Sequence, residues 1–147
     1  MKNLLILFLV FTVGCGTQNQ KCNKVDTEQV RQVIIDFLNA GNHSDFEELK
    51  NLTTSDFLVY GDGGEMNFNE LVQFIKDWPE PDKYKFDEFD FEINTDCNSA
   101  FVNYYYGPPR HVGDSTQIDI YDLHSAYLKR VGDELKIKFI HSTTVKQ

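Results

Sequence analysis

The residues best placed to do chemistry are two histidines near the end of the chain, His124 and His141. Between them, Val131-Gly132-Asp133-Glu134 predicts a two-residue hairpin loop, with glycine at the first central position as a type II′ turn requires. Counting outward from that turn sets Leu128 against Ile137, Ala126 against Phe139 and His124 against His141. Cross-strand partners share a face, and because the first two pairs are apolar that face is the buried, concave one. Two imidazoles side by side on a buried wall are costly to charge together, so at least one is expected to be neutral at pH 7 or partnered. The next pair, Asp122 with Thr143, adds a carboxylate and a hydroxyl. Such a group could bind a metal or work as an acid–base pair. Equally, each imidazole could hydrogen-bond a backbone group or a Tyr hydroxyl and line a cavity. With no third histidine in the group and no ligand-spaced motif, neither a metal nor a cofactor is expected.

A second candidate is Asp62, in the run Gly61-Asp62-Gly63-Gly64, although an aspartate there is also what an ordinary turn wants. The aromatic load is high, with 12 Phe and 7 Tyr. Part of it fills a core, and part would suit the wall of a pocket for a flat apolar molecule. Trp78, Tyr104, Tyr106 and Phe139, together with Asp122, are the residues expected to line that pocket.

These groups need a scaffold, and the spacing of apolar residues supplies one. Val30, Val33, Ile34, Phe37, Leu38 and Gly41 form one helical stripe, opened by Asp26 and Gln29 and stopped at Gly41-Asn42. Ser44 with Glu47 starts a short second helix, and Asn67 with Glu70 starts a third that ends at Trp78-Pro79. A short strand from Phe57 to Tyr60 lies between them. After Pro81 the period changes to two, with a phase slip near Asp87-Glu88 that predicts a β-bulge. Three more strands follow, around 100–106, 117–130 and 135–145. Helices first and strands afterwards predict an α+β domain over residues 26–147, its antiparallel sheet curved into a cone with three N-terminal helices on the concave face.

This order resembles the nuclear transport factor 2-like superfamily, which includes ketosteroid isomerases, scytalone dehydratase, limonene epoxide hydrolases, polyketide cyclases and many non-enzymatic members. The resemblance also rests on Thr-Ser-Asp-Phe-Leu-Val-Tyr-Gly-Asp-Gly at 54–63 and Leu-Lys-Ile-Lys-Phe-Ile-His-Ser at 135–142. It implies a cone with an apolar pocket at its wide end, and it places Asp62 where a ketosteroid isomerase keeps its general base. A fold hosts many activities, so it does not fix one.

The start of the chain carries an address. Lys2 precedes an apolar stretch from Leu4 to Val13, followed by Gly14 and Cys15. That stretch is too short to span a bilayer, which takes about 20 residues. It reads as a processing segment. Thr12-Val13-Gly14-Cys15 resembles the lipobox of bacterial lipoproteins, which implies cleavage before Cys15 and lipidation of its thiol. Residues 1–14 are then signal peptide, and 15–25 are the lipidated cysteine and a polar tether. The expected location is the cell envelope, anchored through lipid alone, with Gly16 favouring the outer membrane where there are two. Cys22 and Cys97 remain, able to form one disulfide or to stay as two thiols. The net charge of −9 repels phosphate backbones and argues against nucleic acid.

Taken together, the sequence predicts a lipid-anchored envelope protein binding a small apolar or aromatic molecule without turnover. The alternatives are a cofactor-independent isomerase, dehydratase or hydrolase working through Asp62 or the two histidines, and an envelope interaction protein that forms a homodimer.

Overall fold

The computed structural model describes residues 22–61, 63–77, 90–112 and 118–146, with side chains of 107–112, 118–121 and 146 left aside. Three helices, α1 (Thr27–Asn42), α2 (Phe46–Leu52) and α3 (Phe68–Asp77), accompany six strands. The strands are β1 (Thr53–Gly61), β2 (Gly64–Asn67), β3 (Phe91–Thr95), β4 (Ser99–Val112), β5 (Ile118–Val131) and β6 (Glu134–Lys146). They form one curved, unclosed sheet in the order β2-β1-β6-β5-β4-β3. β3 to β6 make an antiparallel meander, as the alternation predicts. The sheet is nonetheless mixed rather than antiparallel throughout, because β1 runs parallel to β6 and carries β2 as a hairpin on its outer edge. The phase slip at Asp87-Glu88 lies outside the described residues.

Local chemistry explains where the helices begin. Asp26 accepts a hydrogen bond from the Glu28 amide at 2.8 Å and opens α1. Asn67 accepts from the Glu70 amide at 3.2 Å while Glu70 accepts from the Asn67 amide at 2.8 Å, a reciprocal capping box for α3. The start of α2 lies one residue beyond expectation. Ser44 sits at φ 57°, and Asp45 takes the cap, accepting from the Glu48 amide at 3.1 Å.

The helices bury their stripes against the concave face. Val30, Ile34 and Leu49 from α1 and α2 meet Val102, Ala126, Leu128 and Ile137 from the sheet, all of them fully buried. Truncating one of the larger members to alanine costs about 2–5 kcal/mol. Arg31 adds a tie by placing its guanidinium 4.8 Å from the centre of the Phe91 ring.

Cys22 and Cys97 are bonded, their Cα atoms 5.5 Å apart, which fastens the segment before α1 to the β3–β4 turn. The Val25 amide reinforces this by donating to the Asp96 carbonyl at 2.7 Å. Asp96 organises the turn by accepting from the amides of Asn98 and Ser99, and these bonds hold its carboxyl below the usual range. Among the described residues, no helix is long and apolar enough to cross a membrane.

Candidate functional site

The β5–β6 hairpin decides which residues reach the concave face. Gly132 has φ 64°, and the pairs Val131–Glu134, Arg130–Leu135, Lys129–Lys136 and Leu128–Ile137 fall where the turn predicts. Beyond Ile137 the register slips, and Tyr127 pairs with Phe139. Lys138 is therefore an extra residue, a β-bulge in β6. Its ammonium donates to the Asp56 carbonyl at 3.1 Å and forms an ion pair with the Asp56 carboxylate. The bond from Lys138 to the carboxylate, with a second from the Thr54 hydroxyl, lowers the Asp56 carboxyl to about 2.

The bulge corrects the expected histidine pair. Every β6 residue after it changes face, so His124 pairs with Ser142, and His141 pairs with Ser125. His141 is exposed on the convex side, where its neighbour in β1 is Tyr60. Phe139 also moves outward, packing on Tyr60 and Tyr127 with ring centres 6.0 and 5.8 Å apart. Ile140 takes its place on the inner wall. Thr143 likewise turns away, and Thr144 donates to the Asp122 carboxylate at 3.1 Å.

What remains inside is a compact polar group on the sheet wall. His124 keeps part of its surface open and is otherwise enclosed by aromatic side chains. Its ring stacks on Tyr106, with centres 4.9 Å apart and planes inclined by 5°, and meets Tyr104 edge-on at 5.2 Å. Nδ1 lies 3.3 Å from the Tyr104 hydroxyl. Burial lowers His124 to about 4; Asp122 opposes that shift and His141 adds slightly to it. The imidazole is thus neutral at pH 7. In one tautomer Nδ1 accepts from Tyr104 and Nε2 carries the proton; in the other Nδ1 donates and Nε2 is a base. Tyr104 is 1% exposed, and burial raises its hydroxyl above the ordinary tyrosine value.

These groups border a cavity of about 750 Å³. Its sheet wall presents Tyr106, Asp122, His124, Ile140 and Ser142. The opposite side is mainly apolar, built from the end of α1 (Phe37, Leu38), α2 (Phe46, Leu49) and α3 (Leu71, Phe74), with the polar Asn42, Ser44 and Lys76 among its lining. Tyr106, Asp122 and His124 line it, while Tyr104 stands behind His124, and Phe139 and His141 lie outside it. Trp78, Asp62 and Cys15 fall outside the described residues. Sequence reasoning missed Ser142, which the turn count alone assigns to the wrong face, and the helix residues, whose apolar stripes signal core and cavity alike. Among the described residues, no three His, Cys, Asp or Glu side chains gather to hold a metal.

Compared by sequence, the chain matches no protein-family model and no curated protein. Compared by structure, it resembles a nuclear transport factor 2-like protein from Cytophaga hutchinsonii, with a TM-score of 0.61 and 13% identity. That likeness covers 82% of this chain and 100% of the other. The chain has the nuclear transport factor 2-like fold. A proposed dehydratase of nuclear transport factor 2-like type from Streptomyces avermitilis is similar, with a TM-score of 0.59, 17% identity and coverage of 80% and 94%. So is a proposed ketosteroid isomerase from Shewanella frigidimarina, with a TM-score of 0.55, 13% identity and coverage of 76% and 91%. At such identities the likeness is one of fold, and the cavity between sheet and helices is where this chain has room for a ligand.

Proposed function

We propose that the protein is a lipid-anchored component of the cell envelope that holds a small, largely apolar molecule in its cavity without turnover. The observation that carries the reading is the cavity of about 750 Å³, mainly apolar on the helix side and edged by a few convergent polar groups on the sheet side. Two features favour holding over turnover. The sheet separates His124 from His141, so the two imidazoles do not form an acid–base pair. His124 is also secured against Tyr104 and Tyr106. The lipid anchor rests on the lipobox-like Thr12-Val13-Gly14-Cys15, and the bonded Cys22 and Cys97 suit an oxidising compartment.

Mass spectrometry of the full chain extracted from its host's membranes tests this. The expected result is a diacylglycerol-modified Cys15 at a new amino terminus, together with a small molecule released only on unfolding. An unmodified Cys15 and a protein that releases nothing overturn the proposal.

A second reading, a homodimer formed through the outer sheet face, is favoured by the rings displayed there. Phe101 and Tyr105 are 39% and 44% exposed, beside Tyr127, Phe139 and Tyr60. Sedimentation of the wild type against Tyr105→Glu tests it, with dissociation to monomer expected.

A further inference from the structure

Resting on the reading of the cavity as a small-molecule site, we infer that His124 and Ser142 form a pair of hydrogen-bond donors, and that the molecule held there is an apolar body ending in a carbonyl oxygen. The two residues are cross-strand partners in β5 and β6, and both line the cavity. Opposed residues on one face keep their Cβ atoms about 4.5–5.5 Å apart, a span that one ligand oxygen bridges. Among the described residues the Ser142 hydroxyl has no hydrogen-bond partner, and the His124 ring has only the Tyr104 hydroxyl, 3.3 Å from Nδ1.

Tyr104 decides which hydrogen the imidazole presents. Its hydroxyl is 1% exposed, keeps its proton because burial raises it above the ordinary tyrosine value, and bonds to no other described group. If Nδ1 donated to that oxygen, the hydroxyl hydrogen would be left without an acceptor where water does not reach. That cost disfavours the Nδ1–H tautomer by about tenfold or more. With Nδ1 accepting, the hydroxyl is satisfied and the hydrogen of the neutral ring rides on Nε2. Nδ1 is turned to Tyr104 in the wall and one ring face is covered by Tyr106, so the Nε2 edge is the part that borders the cavity. A ligand end that only donates is opposed there by the Nε2 hydrogen. A carbonyl oxygen accepts from Nε2 and from the Ser142 hydroxyl through its two lone pairs, and has no hydrogen of its own to place.

Two experiments on the full chain in neutral detergent at pH 7.4 test this. In the combined variant His43→Gln, His111→Gln, His141→Gln, with the remaining histidine labelled with nitrogen-15, the ring shifts are expected to report a protonated Nε2 and a bare Nδ1. A protonated Nδ1 or a charged ring overturns the inference. For the ligand, 2-acetylnaphthalene and 2-isopropenylnaphthalene share one shape and differ by a carbonyl oxygen against a methylene. Each is titrated against the fluorophore N-phenyl-1-naphthylamine as displaced reporter. The ratio of the two affinities is compared between wild type and Ser142→Ala, so that the water and detergent contributions cancel. The preference for the ketone is expected to fall about fivefold in the variant. An unchanged ratio, or a ketone that leaves a bound reporter in place, overturns the donor pair and leaves the cavity reading standing. A reporter that does not bind the wild type overturns the cavity reading itself. The nitrogen-15 measurement needs neither a ligand nor the Ser142 variant, so it decides the tautomer even where that variant fails to fold.

Discussion

The His124 ring lies flat against Tyr106, 4.9 Å between centres and 5° from parallel, while its Nδ1 lies 3.3 Å from the hydroxyl of the buried Tyr104. An imidazole enclosed in this way loses the water that would solvate its charged form. The result is a neutral side chain at pH 7 whose protonation is tied to loosening of the cavity wall.

That coupling sets the pH dependence of stability. His124 is lowered from 6.5 to about 4, so between those values the unfolded chain binds the proton and the folded one does not. Stability is therefore complete above about pH 6.5 and falls as the pH drops towards 4. Because the ring opens partly onto the cavity, the expected loss is about 2 kcal/mol, below the full value of the shift. Urea midpoints for wild type and His124→Phe should diverge over this window, with the variant losing less. Parallel pH profiles for the two proteins would show that His124 is not the titrating group.

Tyr104→Phe isolates the hydroxyl. The substitution keeps the ring and its packing and removes one partner of a buried contact, leaving Nδ1 of His124 without it. The expected cost is about 1–3 kcal/mol in chemical denaturation. An unchanged midpoint would mean that the contact at 3.3 Å contributes nothing.

The register of β6 shows how far the sequence could be read. The glycine of the Val131–Glu134 turn, the four pairs beside it, the α1 stripe and the Asn67–Glu70 cap all follow from local chemistry, and the structure has them. The failure is one residue, Lys138. Leu135, Ile137 and Phe139 alternate so regularly that the bulge leaves a single trace, the apolar Ile140 directly after Phe139. What fixes the bulge is a contact 82 residues away along the chain, between Lys138 and Asp56. The parallel pairing of β1 with β6 is non-local in the same way, which is why the sheet reads as wholly antiparallel from sequence.

Deleting Lys138 tests that reading of the slip. Because Lys138 is the extra residue, its removal lets Phe139 follow Ile137 in a regular ladder, and Phe139, Ile140, His141 and Ser142 keep their faces and their partners in β5. What the deletion removes is the contact of Lys138 with Asp56. The fold is therefore expected to survive with a loss of about 1 kcal/mol. Urea denaturation followed by circular dichroism measures it, and a deletion variant that fails to fold would sink the account of the bulge.

The disulfide makes the last prediction, because its contribution lies mainly in the unfolded chain. Cys22 and Cys97 are 75 residues apart in sequence, and a cross-link of that span removes loop-closure entropy worth about 4 kcal/mol. Few other contacts fasten the segment before α1, chiefly the bond from the Val25 amide to Asp96 and the burial of the Val25 side chain. Reduction should therefore fray this segment and release the β3–β4 turn while α2 and α3, fastened elsewhere, stay folded. Cys22→Ser and Cys97→Ser should each lower stability by about the same amount as reduction, and the double variant should fall no further, since either change removes the same bond. Denaturant titrations with and without reductant test the energy, and amide exchange at Val25 and Asp96 tests the location. Additive losses from the two single variants would mean that the cysteines act separately and that the cross-link is not what stabilises the fold.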